Sequence, residues 1–421
     1  LQNFKLFFEN LSNDSNLKSQ ILGSAFFREI RYMGGKLYFV GGATRDHYLG
    51  LPSKDIDVII SNISPEQLTG ILGKHGSVNS VGESFGVIKF VPKEFEVSEP
   101  IDIALPRKER PMKPEEREVY KQKYGKYPSA YQAFTVEPDH FLKIEDDLLR
   151  RDFTINAIAH DHLGNSIDPY GGVKDIKNKV IRMVSAKNFS EDPLRMLRGV
   201  QFASRFGFKI ESKTFDSIRR NASLISGIPG ERILVEMEKI VKKGDQLLGA
   251  KLLCETSLWQ EISRLSCKDH NEDAALFKQS ERSKTLAEFL FLMMFKVASF
   301  EEASSVSKRL KCDTITEKHI KGLYYAWDKQ NEENPHVIVF NLNRIHPTCL
   351  QLLVLPEVVK SSISSDMPKS VKDLSVDGGD LMGMGYKGEE ISNAFNDILS
   401  RIFSGAMSNS REEIINHLHN S

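Results

Sequence analysis

The chain has 421 residues, 57 Lys+Arg against 57 Asp+Glu, 40% hydrophobic and 27% charged residues, the balance of a globular protein long enough for two to four compact units. That composition excludes a collagen-like, wholly disordered or disulfide-scaffold chain. With the opposite charges cancelling, any nucleic-acid site has to be a local patch.

Residues 4–32 read as an amphipathic helix, with Phe4, Leu6, Phe7, Leu11, Leu17, Ile21, Leu22 and Phe26 near a 3.6-residue period; Gly34-Gly35 stops it. The apolar run Leu37-Tyr38-Phe39-Val40 reads as a buried strand ending in Gly41-Gly42, followed by the helix-like A-T-R-D-H-Y-L-G and a second strand, D-I-D-V-I-I. Gly86 to Val91 and Ile101 to Leu105 are two more strand candidates. The segment 107–127 holds eight Lys/Arg, four Glu and three Tyr, with prolines at 111 and 114 and no apolar period. It reads as a long, mobile, solvent-facing loop, either a tolerated insertion or a moving arm beside an anionic substrate. Beyond residue 185 the pattern is almost wholly helical, so the fold class is α+β: a mixed α/β head and a long helical remainder.

Four cysteines, Cys254, Cys267, Cys312 and Cys349, form no C-x-x-C pair and read as isolated thiols of a reducing compartment rather than zinc ligands. The most apolar stretch, Phe289 to Phe295, is too short for a bilayer, and no secretory pattern opens the sequence. A cytoplasmic protein without membrane association is expected; a leader ahead of Leu1 stays open.

The chemistry concentrates in Gly41-Gly42-Ala43-Thr44-Arg45-Asp46 followed by Asp55-Ile56-Asp57. A glycine pair after a strand lets the backbone approach a triphosphate, and Arg45 one helical turn later can offer a forked donor to phosphate oxygens. Strand residues i and i+2 share a face, so Asp55 and Asp57 converge as a hard-oxygen site suited to Mg²⁺. Asp102, in I-D-I-A-L, can join them from a neighbouring strand. Three carboxylates around metal can activate a hydroxyl and clamp a leaving pyrophosphate. Further on, Arg151 and Asp152 precede F-T-I-N-A-I-A, read as an apolar helix that Asp152 caps. Asp192, Arg195 and Arg198 fall at i, i+3 and i+6, one face of a helix. A carboxylate accepts from a base's amino group and a guanidinium donates to ring acceptors, so such a pair can imitate a complementary base edge; the simpler reading is a surface salt bridge. His160-Asp161-His162 reads as a polar turn rather than a metal site.

G-G-A-T-R-D…D-I-D resembles the nucleotidyltransferase superfamily that includes DNA polymerase β. Arg150-Arg151-Asp152-Phe153-Thr154-Ile155-Asn156-Ala157, Asp168-Pro169-Tyr170-Gly171-Gly172 with Asp175, Glu191-Asp192-Pro193-Leu194-Arg195-Met196-Leu197-Arg198, and Gly230-Glu231-Arg232-Ile233 with Glu236 follow in order. They are similar to the later motifs of the class II tRNA nucleotidyltransferase and bacterial poly(A) polymerase family. The resemblance implies a polymerase-β-like head over 36–165 behind an N-terminal helical segment 1–35, a helical neck over 166–245, and a tRNA-binding body and tail over 246–421. It implies Mg²⁺ on Asp55 and Asp57 with Asp102 as third catalytic carboxylate, and tRNA, CTP and ATP as substrates. Gly42, Arg45, Arg151, Asp152, Asn156, Asp192, Arg195 and Arg198 are the implied nucleotide-binding residues, with Asp192 and Arg195 choosing CTP and ATP over UTP and GTP. One departure stands out: many relatives carry an arginine where this chain has Gln201.

The expected function is addition or repair of the 3′-terminal CCA of tRNA. Addition of CC alone, addition of A alone, and poly(A) synthesis share the same motifs. In the family, restriction to CC goes with a shortened loop, so the length of 107–127 favours an enzyme that adds A. A non-catalytic RNA-binding scaffold is disfavoured because all three carboxylates are present. The C-terminal half, with only scattered histidines, carries no phosphohydrolase pattern.

Overall fold

The computed structural model describes residues 14–52, 56–80, 87–125, 127–128, 133–283 and 285–420. The chain divides into two compact units, residues 1–228 with 255–258 and residues 229–254 with 259–421.

In the first unit the described part of the expected 4–32 helix is two helices, α1 (Asp14–Gly23) and α2 (Ala25–Tyr32); residues 1–13 lie outside the described residues. Ser24 makes the break, because its Oγ accepts the Phe27 N–H at 3.2 Å and so starts a new helix. Then come β1 (Lys36–Val40), α3 (Gly41–Leu49), β2 (Asp57–Ser61), α4 (Pro65–His75), β3 (Gly76–Ser80), β4 (Val87–Pro92) and β5 (Ile101–Ala104). Sequence pattern missed β3, since G-S-V-N-S offers a single apolar residue.

The segment read as a loop is regular structure. β6 (Arg107–Pro111) pairs antiparallel with β7 (Phe134–Pro138), and α5 (Pro114–Tyr124) lies between them. Its signals are local rather than periodic: Pro114 in the first turn, Glu115 and Glu116 beside it, Lys121 and Lys123 in the last turn, and Gly125 closing at φ +71°. No residue of α5 is buried, which is why no apolar stripe announced it. Arg110 clamps the arm, reaching Glu116 at 2.8 Å and Glu137 at 2.7 Å.

After α6 (Ile144–Leu149) the expected F-T-I-N-A-I-A helix is only one 3₁₀ turn, Thr154–Asn156, and the chain then extends into β8 (Ala159–Asp161) and β9 (Ser166–Ile167). Pairing of Ala159 with Val40 on β1 captures the segment for the sheet. The sheet order is β3-β4-β5-β2-β1-β8-β9; β2 and β5 run parallel and the other pairs antiparallel. One face buries Leu37, Phe39, Val58, Ile60, Phe90 and Ile103 against Ile21, Phe26, Ile30, Leu68 and Leu72 from α1, α2 and α4. The other packs Val40, Ile59 and Ala159 on Ile144 and Leu148 of α6. Each such side chain contributes about 1.5–3 kcal/mol. A one-residue slip of β2 would turn Asp57 into the core, so burial fixes the register that aims it outward. α7 (Gly172–Lys177), α8 (Lys187–Glu191), α9 (Leu194–Phe206) and α10 (Ser212–Asn221) follow in this unit, with a short parallel strand pair, Val180–Ile181 beside Lys209–Ile210, and a 3₁₀ segment, Ala222–Gly227.

Every regular element described in the second unit is a helix. The apolar stretch near Phe289 is core: the helix Leu286–Met294 buries every residue from Ala287 onward. At the C-terminal end Ile398, Leu399, Ile402, Ile414 and Leu418 pack together. Lys387-Gly388 precedes the helix Glu389–Phe403, and the Lys387 N–H is taken by Glu390 at 2.9 Å, a plain cap. The isolated-thiol expectation fails for one pair, because Cys254 and Cys267 are joined in a disulfide. Thirteen residues of chain return Cys267 to the end of the helix Gln246–Glu255, with the two Cα atoms 5.8 Å apart. Cys312 and Cys349 remain thiols, pushed by burial to about 12 and about 11. Among the described residues no helix is long and apolar enough to cross a membrane.

Candidate active site

Three polar side chains stand in one row across the sheet. Asp57 on β2 is the register partner of Asp102 on β5, and Asp102 is the partner of Lys89 on β4. Register partners share a face, so the two carboxylates and the ammonium leave the sheet together. Lys89 Nζ donates to Asp102 Oδ1 at 2.9 Å, with both side chains partly exposed. Asp55 lies outside the described residues. Among the described residues no group of three or more His, Cys, Asp or Glu gathers as a metal cluster. The donors present, carboxylate oxygens on rigid strands, are the chemistry a hard divalent cation takes.

The turn between β1 and α3 closes over this row. Gly41 has φ +75°, and a β-carbon there would lie 2.5 Å from Asp57 Oδ2 and 3.5 Å from an Arg151 Nη1. Only glycine fits between the carboxylate and the guanidinium. The backbone N–H groups that begin α3 point out of this turn, the arrangement that receives phosphate at a helix N-terminus. Arg151 Nη1 donates to the Asn156 carbonyl at 3.2 Å, while its buried Nε has no hydrogen-bond partner among the described residues. Burial lowers its basicity, against the opposing pull of Asp147.

Four of the predicted nucleotide residues are brought together, bonded to one another. Arg45 is buried; its Nε donates to Asp46 Oδ1 at 2.8 Å and its Nη1 to Asn156 Oδ1 at 2.8 Å. Asn156 Nδ2 donates to Asp152 Oδ1 at 2.9 Å, and Asp152 Oδ2 accepts Arg198 Nε and Nη2, each at 2.8 Å. The Phe202 ring on α9 lies 5.2 Å from both the Arg45 and the Arg198 guanidinium carbons. The result is a buried chain, Asp46–Arg45–Asn156–Asp152–Arg198, lacing α3, the 152–156 turn and α9. Burial alone would raise the Asp152 carboxyl; Arg198, Asn156 and the Phe153 N–H outweigh it and hold it below the usual range. The expected Asp152 cap is not formed: Asp152 Oδ1 accepts the Phe153 N–H at 2.8 Å, while the 3₁₀ turn Thr154–Asn156 has Phe153 at its N-cap and no side-chain cap.

Asp192, Arg195 and Arg198 do not share one helix. α8 ends at Glu191, and Asp192 is the extended joint, φ −135°, before α9 begins at Leu194. Pro193 forces that break, since the residue before proline is driven from helical geometry. Asp192 Oδ1 accepts the Leu194 N–H at 3.2 Å, and Arg195 Nη1 donates to the Asn188 carbonyl at 3.1 Å. Gln201 is buried one turn past Arg198. The Asp168-Pro-Tyr-Gly-Gly motif is a buttress: Asp168 accepts the Gly172 and Val173 N–H groups at 2.7 and 2.9 Å, and Asp175 accepts Thr154 Oγ1 at 2.7 Å. His160 sits on β8 with its Nε2 2.9 Å from the Tyr48 hydroxyl, and burial pushes it down to about 3.

Sequence reading missed Lys89, Asp147 and Asn188. A lone lysine in the apolar strand V-I-K-F was a usable signal for the first. Asn188 Nδ2 donates to the carbonyls of Leu149 and Arg151 at 2.9 and 2.7 Å, which fixes the backbone that carries Arg151; nothing in K-N-F-S-E shows this.

A two-carboxylate strand row beside a glycine turn and an arginine defines a nucleotidyltransferase head. The "Poly A polymerase head domain" family matches residues 37–182, and "Probable RNA and SrmB- binding site of polymerase A" matches 207–264. A CCA-adding enzyme of Bacillus licheniformis is 30% identical over 409 residues, 92% of this chain and 94% of the relative. The crystal structure of the Bacillus stearothermophilus CCA-adding enzyme in complex with CTP has a TM-score of 0.69 at 24% identity, covering 97% of this chain and 98% of that one. The Thermotoga maritima CCA-adding enzyme complexed with tRNA gives 0.71 at 22%, covering 99% and 98%. The chain belongs to the CCA-adding enzyme family, the class II tRNA nucleotidyltransferases and bacterial poly(A) polymerases.

Proposed function

We propose that this chain adds or repairs the 3′-terminal CCA of tRNA from CTP and ATP, with release of pyrophosphate. The observation that carries the reading is the Asp57–Asp102 row facing Gly41 and Arg151, in a chain similar along nearly its whole length to CCA-adding enzymes. The triphosphate lies against the Gly41-Gly42 turn, where the first N–H groups of α3 and the Arg151 guanidinium receive its oxygens. The tRNA 3′-hydroxyl attacks the α-phosphorus in line; the new 3′-O–P bond forms as the bond to the bridging oxygen of pyrophosphate breaks. Asp102 takes the hydroxyl proton. Mg²⁺ on Asp55 and Asp57, when bound, supplies Lewis-acid charge for the phosphoryl oxygens. Arg45 supports the turn from behind, by way of Asn156, rather than presenting its own nitrogens. Asp192, at the joint before α9, and Arg195, in the first turn of α9, offer the base edge its acceptor and donor.

We assign residues 36–165 to the catalytic head, 166–245 to the neck, and 246–421 to a body and tail that hold tRNA. The cytoplasm, where tRNA, CTP and ATP meet, is the place of action. Addition of CC alone, of A alone, or of poly(A) are the rival specificities; the arm that carries β6, α5 and β7 favours an enzyme that adds A.

The base-edge reading is tested with Asp192→Ala and Arg195→Ala. Each removes half the imitation and leaves the strand row intact, so discrimination against UTP and GTP should fall by about 1–3 kcal/mol, read as relative kcat/KM for the four nucleotides. Unchanged preference in both variants would remove the pair from base selection.

A further inference from the structure

We propose that Asp147, a buried carboxylate outside every motif used above, is a positioning residue that sets the reach of Arg151 to the triphosphate. It also ties that reach to the first residue of the arm. The inference rests on the nucleotide role of Arg151 given above.

Asp147 lies on α6 with 0% of its side chain exposed. A carboxylate so placed has to be matched by charge or hydrogen bonds, and its two oxygens are matched unequally. Oδ1 accepts Arg150 Nε at 3.0 Å and Nη2 at 2.9 Å, and also the backbone N–H of Arg107 at 3.3 Å. Arg107 opens β6, so this last bond fastens the arm's base to α6. Oδ2 has no hydrogen-bond partner among the described residues, and Arg151 Nη2 stands 3.8 Å from it.

The Arg151 side chain shows the complementary imbalance. Its Nη1 is held by the Asn156 carbonyl, its Nε is buried without a hydrogen-bond partner, and Nη2 faces Asp147 just beyond bonding distance. Its far edge reaches the Gly41–Asp57 corner. The backbone at Arg151 cannot adjust, because Asn188 grips its carbonyl. What can still respond is the guanidinium, held by one carbonyl and placed between an anion behind it and the place where a triphosphate arrives. Asp147 attracts Arg151 without saturating its donors. A full hydrogen bond would withdraw them from the nucleotide; no anion at all would leave a desolvated guanidinium with nothing to orient it but one carbonyl. Because Arg107 and Arg151 share this carboxylate, a shift of the arm's base changes how strongly Asp147 holds Arg151.

The test is a double-mutant cycle on the full chain, with α,β-methylene CTP, which binds without transfer, as the probe. Asp147→Asn keeps the shape and removes the charge. Its dissociation constant for the probe should rise about tenfold in the parent and be unchanged in an Arg151→Ala background, with affinity for a tRNA transcript ending in C kept within about twofold. An equal loss in both backgrounds makes Asp147 a structural residue and overturns the proposal, as does no loss in the parent. If Arg151→Ala alone leaves probe binding intact, the fault lies in the nucleotide role of Arg151, and the inference falls with it. Should Asp147→Asn fail to fold, Arg150→Met carries the same cycle. With Arg150 gone, the carboxylate draws Arg151 back, and probe affinity should drop severalfold only while Arg151 is present; a drop independent of Arg151 overturns the proposal.

Discussion

The strand row and the buried chain of side chains are placed by opposite means. Asp57, Asp102 and Lys89 owe their positions to backbone pairing: three adjacent strands bring them into line, and their side chains keep partial access to solvent. Arg45, Asn156, Asp152 and Arg198 owe theirs to one another, through a sequence of charge-assisted bonds between 2.8 and 2.9 Å that is largely hidden from water. The first group can be altered without moving the sheet. In the second, any substitution also strikes stability, since removing one member strands a buried charge.

Asp57→Ala should have the largest effect on catalysis and almost none on the fold. CMP incorporation is expected to fall by at least about a hundredfold to a thousandfold, the scale of losing one electrostatic contributor to a transition state, with the thermal midpoint nearly unchanged. Residual activity close to the parent's would show that the strand row is not the reaction centre.

Arg198→Met should act in the other sense, lowering stability before selectivity. Loss of the pair with buried Asp152 costs about 2 kcal/mol, less than a fully buried pair because Arg198 is 34% exposed; urea unfolding of the variant measures it. The pH dependence has a definite sign. A carboxyl held below its usual range stabilises the folded state above the ordinary aspartate value, and that contribution disappears as pH falls through its folded value. The parent should therefore lose stability below about pH 4 more steeply than Arg198→Met, in which Asp152 is no longer held down by that partner. Parallel acid profiles would mean that the pair carries little of the head's stability.

The arm gives the smallest and most selective effect. Replacing α5, residues 114–124, by a short Gly/Ser linker leaves β6 and β7 paired and removes no buried side chain. Stability should be unchanged within about 0.5 kcal/mol. AMP addition to a tRNA ending in CC should fall while CMP addition persists, if the arm shifts the selecting residues between bases. Equal loss of both, with stronger salt dependence in the parent, would instead make it a phosphate-binding surface.

What could be read in advance follows the same division. Strands β1, β2, β4 and β5 were visible because burial writes apolar runs and glycines into them, and D-I-D and I-D-I carried Asp57 and Asp102, though not Lys89, with them. The motifs named Arg45, Asp152, Asn156 and Arg198, yet no spacing rule could say that they bind each other, because partners 46 and 111 residues apart meet only through the fold. Helix α5 was lost to a rule that looks for an apolar face, which it lacks; its proline, acidic first turn and glycine cap were the legible signals. Asp192 was misplaced because a proline one residue later breaks the helix drawn through it. The Cys254–Cys267 bond escaped notice because its spacing matches no metal or redox motif.

The most direct test of the central claim supplies each nucleotide singly, with Mg²⁺, to tRNA transcripts ending at the discriminator base, at C, and at CC, and sequences the extended ends. CMP is expected on the first two ends, a single AMP on the third, and nothing from UTP or GTP. Runs of AMP on RNA of any 3′ end, or no incorporation at all, would contradict that claim.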